Sequence, residues 1–395
     1  MRIVTYTDSG GIGGAEISLK HLVTNASKDI DVTIVGTSNL VVDAIAQHRP
    51  QASRVVLPAK GIHSLTAHLQ VLHRLRPDVV HINICTPWEC ATGLFAALTL
   101  PNARVVRVDQ LPLRTTDAVK LWRTRALSLR VDAHVAVGEA SARLMEDFYA
   151  LGRRSVVSIP NCVPEITQKP TPPSAPLDEK SFSLSLPPLA GGVGGGCGEG
   201  MGEGMGEGLV IGSVGRLDAM KGHDILLRAV AQLDGVRVVI LGEGGQRTDL
   251  EKLADELGVS DRLELPGWVD NPRAYLPQFD IFAMPSRSEG FPLAIVEAML
   301  AARPVVATRV GSVAEAVTDG ETGLLINKDD VEGLTAALRR LRDDPALRIR
   351  LGERGREVAQ RHFTVKQMVN SYERLWRQVV AQPQAPRLWV PQPRE

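Results

Sequence analysis

Short apolar runs alternate with helix-patterned stretches along this chain, and they do so twice. Strand-like runs at 2–6, 31–35, 54–57, 78–82, 104–108, 133–137 and 156–159 come first. After a break the pattern restarts with "LVIGSVGRL" at residue 209 and continues through "VRVVILG", "DIFAMPS", "PVVAT" and "GLLI". Strands with helices between them join by right-handed crossovers, which wind a parallel sheet with helices on both faces. The alternation therefore predicts an α/β chain of two doubly wound halves, 1–163 and 209–363. A length of 395 residues suits two cores better than one.

The break between the halves is compositional. Residues 164–188 carry seven prolines and 191–208 carry eleven glycines, including "GEGMGEGMGEG". Such a stretch offers no apolar face to bury and reads as a flexible insertion over 164–208. A helix and the Pro-rich "AQPQAPRLWVPQPRE" close the chain over 364–395.

Charge excludes some partners. Lys plus Arg equals Asp plus Glu at 45 each, and aromatics make up only 4%, so neither a global attraction to nucleic acid nor a base-stacking surface is expected. The four cysteines, Cys85, Cys90, Cys162 and Cys197, have no C-x-x-C spacing, which disfavours a structural zinc site or disulfide framework. With no signal-like start and no apolar run near the ~20 residues of a bilayer span, a cytoplasmic or peripheral protein is expected.

Glycines crowd the end of the first strand. In "YTDSGGIGGAEISLKHL" four of them occupy positions 10–14, directly before a helix. Glycine permits positive φ and lets a ligand approach the main chain, while the helix start offers unpaired N–H groups. Two readings stand: a tight strand-to-helix turn, or an anion-binding loop. A dinucleotide fingerprint fails, because Glu16 takes the third glycine position and no acidic residue ends "DVTIV".

The second half is richer. "GSVGRLDAMKG" sets Arg216 and Lys221 among glycines after a strand, suited to a diphosphate or simply solvated. "PGWVDN" at 266–271 follows the strand 262–265, and its backbone around Trp268 and Val269 is placed to meet a base edge. In "MPSRSEGFPLAIVEAMLAARPVVAT", Glu289 sits in a loop, Pro292 marks a helix start, and Glu297 falls on an apolar helix. Those carboxylates either engage two hydroxyl-bearing groups with helix N–H groups between them, or serve the helix dipole and a solvated face.

These segments, with "VGSVAEAVTDGETGLLI" and "SIPNCV", resemble a retaining glycosyltransferase of glycosyltransferase family 4 with the GT-B fold, two Rossmann-like domains facing each other across a cleft. The resemblance spans most of 1–363 and is most specific in the second half. It implies that Arg216 and Lys221 hold the donor diphosphate and that Glu297 binds the ribose hydroxyls. Glu289 and the backbone of Gly290, Phe291, Pro292 and Leu293 would meet the transferred sugar, and Gly13 and Gly14 would close over the phosphates. It implies no cofactor and no metal, only a nucleotide-sugar co-substrate and a glycan, lipid-linked or small-molecule acceptor. Cys162 stands where the family usually has glycine, and Asp109 where many relatives have histidine.

Asp109 is expected either to face the sugar or acceptor as a catalytic-site group, or to pair with Arg107 or cap the next turn. Over 117–130, Val119, Trp122, Ala126 and Leu129 share a helical face beside Lys120, Arg123 and Arg130; a core-facing helix is preferred over a membrane contact. The rival functions are a non-hydrolysing sugar-nucleotide epimerase, using His81, Asp109 or Glu289 as acid and base, and a catalytically silent nucleotide-sugar-binding protein.

Overall fold

A computed structural model describes residues 1–148, 155–165 and 208–385. The insertion expected over 164–208 falls almost wholly outside the described residues, as does the end of the Pro-rich tail. Contacts divide the chain into two compact units. The first comprises Met1–Glu165, Gly290–Leu293 and Arg361–Glu395, and the second Ile166–Glu289 and Ala294–Gln360. The chain's last helix thus belongs with the first unit rather than standing apart.

The first unit is built on β1 (Arg2–Thr7), β2 (Asp31–Gly36), β3 (Ser53–Val56), β4 (Val79–Ile84), β5 (Arg104–Asp109), β6 (Ala133–Ala136) and β7 (Val156–Ser158). They form one sheet in the order β3-β2-β1-β4-β5-β6-β7, and every pair is parallel. All seven strands were legible from the apolar runs. All six residues of β4 are buried, which is why this strand reads as a continuous run rather than alternating. The crossovers are α1 (Gly14–Asn25), α2 (Asn39–Ala46), α3 (Ile62–Leu75), α4 (Ala91–Ala97), α5 (Ala118–Ser128) and α6 (Glu139–Phe148).

Side chains finish what the helices leave open. The buried Arg49 guanidinium donates to the carbonyls of Val23, Ala26, Ser27 and Ile30 at 2.6–3.1 Å, satisfying backbone groups at and beyond the end of α1. The C-terminal helix Val365–Ala381 packs on α1, where Glu373 accepts from the Ser27 N–H at 2.7 Å and its hydroxyl at 2.9 Å. Its Tyr372 and Trp376 rings meet the ring of His81 edge-on, with centroids 5.2 and 5.8 Å away. Burial there pushes the imidazole down to about 3, so His81 is a neutral core residue.

The second unit repeats the plan. Strands β8 (Leu209–Val214), β9 (Val236–Leu241), β10 (Leu263–Gly267), β11 (Ile281–Met284), β12 (Val305–Thr308) and β13 (Leu324–Ile326) form a parallel sheet in the order β10-β9-β8-β11-β12-β13. Helices α7 (His223–Val230), α8 (Arg247–Leu257), α9 (Leu293–Leu300), α10 (Val313–Ala316), α11 (Val331–Asp343) and α12 (Pro345–His362) accompany it. Its core is aliphatic and includes Ile211, Leu226, Val238, Ile240, Ile281, Leu334 and Leu338. Gly212 is required by this packing, since a Cβ there would come within 2.0 Å of the Phe279 ring.

In each sheet the strand order reverses once, between β1 and β4 and between β8 and β11. At such a reversal, helices leave adjacent strands toward opposite faces and open a crevice beyond their carboxyl ends, the usual ligand position in open α/β sheets. Those crevices are where the sequence-predicted residues have to be sought.

Candidate active site

The second unit holds six of them, Arg216, Lys221, Trp268, Val269, Glu289 and Glu297. The loop after β8 carries Arg216 and Lys221, and the loop after β11 carries Glu289. Backbone geometry brings the loops together. Gly222 has φ +67°, and a Cβ on it would meet the Pro285 carbonyl oxygen at 2.2 Å, so only glycine lets the two loops touch there. The Arg287 N–H donates to the Met220 carbonyl at 2.7 Å. On the other flank a Cβ at Gly242 would lie 1.9 Å from the Gly215 carbonyl oxygen, and Leu217 N–H donates to the Glu243 carbonyl. The run "LGEGG" after β9 held that signal, and the sequence reading missed it.

This scaffold sets Lys221 Nζ 2.7 Å from Glu289 Oε1, with both side chains largely buried. The Ser286 hydroxyl donates to the same oxygen at 2.7 Å. Cation and carboxylate therefore share one site at the strand reversal. Arg216 is solvent-exposed and lies 3.1 Å from Asp218. His223, the first residue of α7, is buried; desolvation, then the nearby Lys221 charge, push it down to about 4. It adds no charge at neutral pH, and Arg216 and Lys221 carry the positive field.

Glu297 lies on α9 beyond its first turn, as the sequence predicts, while Pro292 stands one residue before the helix. Burial pushes the Glu297 carboxyl up to about 7, opposed by the Arg273 guanidinium 4.0 Å away. Arg273 was missed in the sequence. Gly290, Phe291, Pro292 and Leu293 group with the first unit. Strand β10 runs to Gly267, two residues further than expected, leaving Trp268 exposed with its indole N–H toward Asp270 at 3.2 Å and Val269 half-buried beside it.

In the first unit Gly13 is the N-cap of α1, and Gly14 is its first residue. None of Gly10, Gly11, Gly13 and Gly14 has positive φ, and nothing crowds Gly10 or Gly11. Their bare backbone is thus not demanded by the turn. The Gly13 N–H already donates to Glu16 Oε2 at 2.9 Å, and burial raises that carboxyl's pKa.

Asp109 corrects an expectation. It closes β5, but its carboxylate is buried and held by Arg107 through Nε at 2.7 Å and Nη2 at 2.8 Å. Arg107 also donates to the Ser128 hydroxyl and the Pro87 carbonyl, both at 3.0 Å. Of its two expected places, Asp109 takes the pairing with Arg107: a bidentate fork engages both carboxylate oxygens and buries them inside the first unit.

The helix over 117–130 corrects another. α5 buries Thr124, Leu127 and Ser128, whereas Val119 and Trp122 are 75% and 73% exposed. The face expected to meet the core points to solvent at its start. Lys120 sits over the Trp88 ring at 5.6 Å and Arg123 donates to the Trp88 carbonyl.

Residues 12–165 match the profile of Glycosyltransferase Family 4, and 205–358 that of Glycosyl transferases group 1. The chain belongs to glycosyltransferase family 4. This family 4 chain is 39% identical over 166 residues to the lipopolysaccharide core biosynthesis glycosyltransferase LpsE of Rhizobium meliloti, covering 42% of this chain and 49% of the relative. It is 37% identical over 182 residues to a D-inositol 3-phosphate glycosyltransferase of Corynebacterium urealyticum, covering 42% and 43%. The matched stretch spans about half the length of these curated relatives or less. The fold matches Anabaena HepE in complex with UDP-glucose, with a TM-score of 0.78 at 20% identity over 96% of this chain and 100% of that one. The fold is GT-B.

Two outcomes are expected from these side chains. Asp109→Ala leaves Arg107 buried without its counter-ion and lowers stability by roughly 3–5 kcal/mol; a denaturant midpoint equal to the parent's would refute the pairing's role. Glu297 holds its proton more tightly folded than unfolded, so its contribution to stability is complete below about 4.5 and lost as pH rises to about 7. Glu297→Gln therefore gains on the parent in melting temperature between pH 5 and pH 8. Parallel pH profiles would show that the carboxyl titrates normally.

Proposed function

We propose that this protein transfers a glycosyl group from a nucleoside-diphosphate sugar to an acceptor hydroxyl, with retention of anomeric configuration and without a metal ion. The observation that carries the reading is Lys221 held 2.7 Å from Glu289 where the strand order reverses in the second unit. A cation for the donor phosphates and an acceptor of sugar hydroxyl bonds then lie side by side at a crevice suited to a nucleotide. Glu297, half-buried on α9 with Arg273 beside it, takes the ribose hydroxyls, and the backbone at Trp268 and Val269 faces the base.

In this reading the bond between the anomeric carbon and the diphosphate oxygen breaks while the acceptor oxygen bonds to the same face of that carbon. The acceptor proton passes to the leaving diphosphate, so no protein nucleophile takes part. Arg216 and Lys221 stabilise the charge that builds on the leaving group, which is the task a metal ion performs elsewhere. The epimerase reading keeps only Glu289 of its three candidate acids and bases, since His81 is locked in the core and Asp109 is tied to Arg107. The silent-binder reading is answered by measuring donor turnover.

HepE was solved with UDP-glucose, which makes UDP the first donor fragment to test here. Calorimetry against UDP, GDP, ADP and TDP should find one that binds. Charge-assisted hydrogen bonds contribute ~1.5–3 kcal/mol, so Arg216→Ala and Lys221→Ala should each weaken that nucleotide about ten- to a hundredfold. Binding unchanged in both variants would remove the phosphate assignment.

The acceptor is proposed to be met at a membrane surface. Exposed Val119 and Trp122 beside Lys120 and Arg123 form an amphipathic start to α5 that fits an anionic bilayer. Each basic residue near such a surface is worth ~1 kcal/mol, so the Lys120→Ala/Arg123→Ala variant should bind phosphatidylglycerol-containing vesicles about thirtyfold more weakly. Equal sedimentation of parent and variant would overturn the contact.

A further inference from the structure

The loop after β11 carries a second cation, Arg287, two residues before Glu289. Its guanidinium is bonded on every side within the second unit. Nη1 and Nη2 form a fork on Asp224, with contacts of 2.8 and 2.7 Å to its two carboxylate oxygens. Nη1 also donates to the Ala219 carbonyl at 2.8 Å, and Nε to Asp329 Oδ1 at 2.5 Å. With the Arg287 N–H on the Met220 carbonyl, one residue fastens the β11 loop to the β8 loop, the first turn of α7, and the segment before α11. Asp224 and Asp329 together balance more than its charge, and the fork raises its pKa, so Arg287 stays cationic.

Four of its five guanidinium N–H donors are thus committed within the second unit. Its bonds to Ala219 and Met220 fall two and one residues before Lys221, and its own backbone lies two before Glu289. We infer that Arg287 is a positioning residue that sets Lys221 against Glu289, and through Lys221 governs affinity for the donor diphosphate. Without its guanidinium the two loops keep the backbone bond from residue 287 to Met220, the Gly222–Pro285 approach and the Lys221–Glu289 pair, but lose the ties to Ala219, Asp224 and Asp329. The flexible lysine stem then samples positions away from the crevice, and each nucleotide must reorder it on binding. The same holds for Glu289 and the sugar hydroxyls. This inference rests on the donor reading proposed above.

A double-mutant cycle separates positioning from general support of the fold. The affinity of the nucleotide found by calorimetry (UDP as the first probe) is measured for the parent, Arg287→Gln, Lys221→Ala and the double variant. Arg287→Lys, which keeps the charge but loses the fork, provides a milder variant if the glutamine chain melts at working temperature. Arg287→Gln should weaken nucleotide binding about tenfold in the Lys221 chain and change it less than twofold in the Lys221→Ala chain. Arg287→Lys should lie between parent and glutamine. Equal losses in both backgrounds, or no loss in either, would overturn the inference while leaving the donor reading intact. A parent that binds none of the four nucleotides would remove the donor reading and this inference with it.

Discussion

The approach of two loops at the β8–β11 reversal is the constraint on which the candidate site depends. Adjacent strands in a parallel sheet lie about 4.8 Å apart, so loops leaving their carboxyl ends collide unless one gives way. Gly222 gives way, because its positive φ and missing Cβ let the Pro285 carbonyl pass. Arg287 then converts closeness into fixed geometry with four side-chain hydrogen bonds. Lys221 and Glu289 are brought together by this arrangement of backbone and guanidinium, not by their own attraction alone. A pair of flexible side chains left to themselves would lose much of that attraction to rotamer entropy and solvent.

Buried charge is used in two ways along the chain. In the first unit the Arg107–Asp109 fork engages both carboxylate oxygens, and the two terminal nitrogens of Arg49 donate to four carbonyls, so these groups brace the sheet and the end of α1. In the second unit Glu297 is half-buried with the more distant Arg273 4.0 Å away, and desolvation pushes its carboxyl up to about 7. A saturated charge stabilises a fold, whereas an unsatisfied one is costly and is retained where a ligand completes it. That contrast separates Asp109 from Glu297, although both are acids in family motif positions.

Much of the architecture could be read in advance because it rests on local periodicity. Every strand but β10, whose LELPG is not an apolar run, announced itself as a short apolar run, and the parallel winding followed from the helices between them. Loop residues were legible wherever the motif named them: Arg216, Lys221, Glu289 and Glu297 sit in the elements expected. Harder were choices between two partners at similar range. Arg107 and Asp109 are two apart on one strand and share a face, so their pairing was an open alternative to a substrate role. Arg273 and Arg287 carried no pattern of their own, since the side-chain partners named above lie twenty-four to sixty-eight residues away in sequence.

The sequence by itself determined the fold class, the two halves, the compositional break between them and the loops that bear the candidate site. Those depend on periodicity, composition and glycine placement, which are local properties. Only the tertiary structure decided which side chains meet there and which are consumed by packing. The Lys221–Glu289 pair, the Arg287 clamp, the capture of Asp109 by Arg107 and the outward turn of Val119 and Trp122 arise from contacts set by strand order. Strand order brings β8 beside β11 across more than sixty residues of chain, and no pattern within either stretch contains that distance.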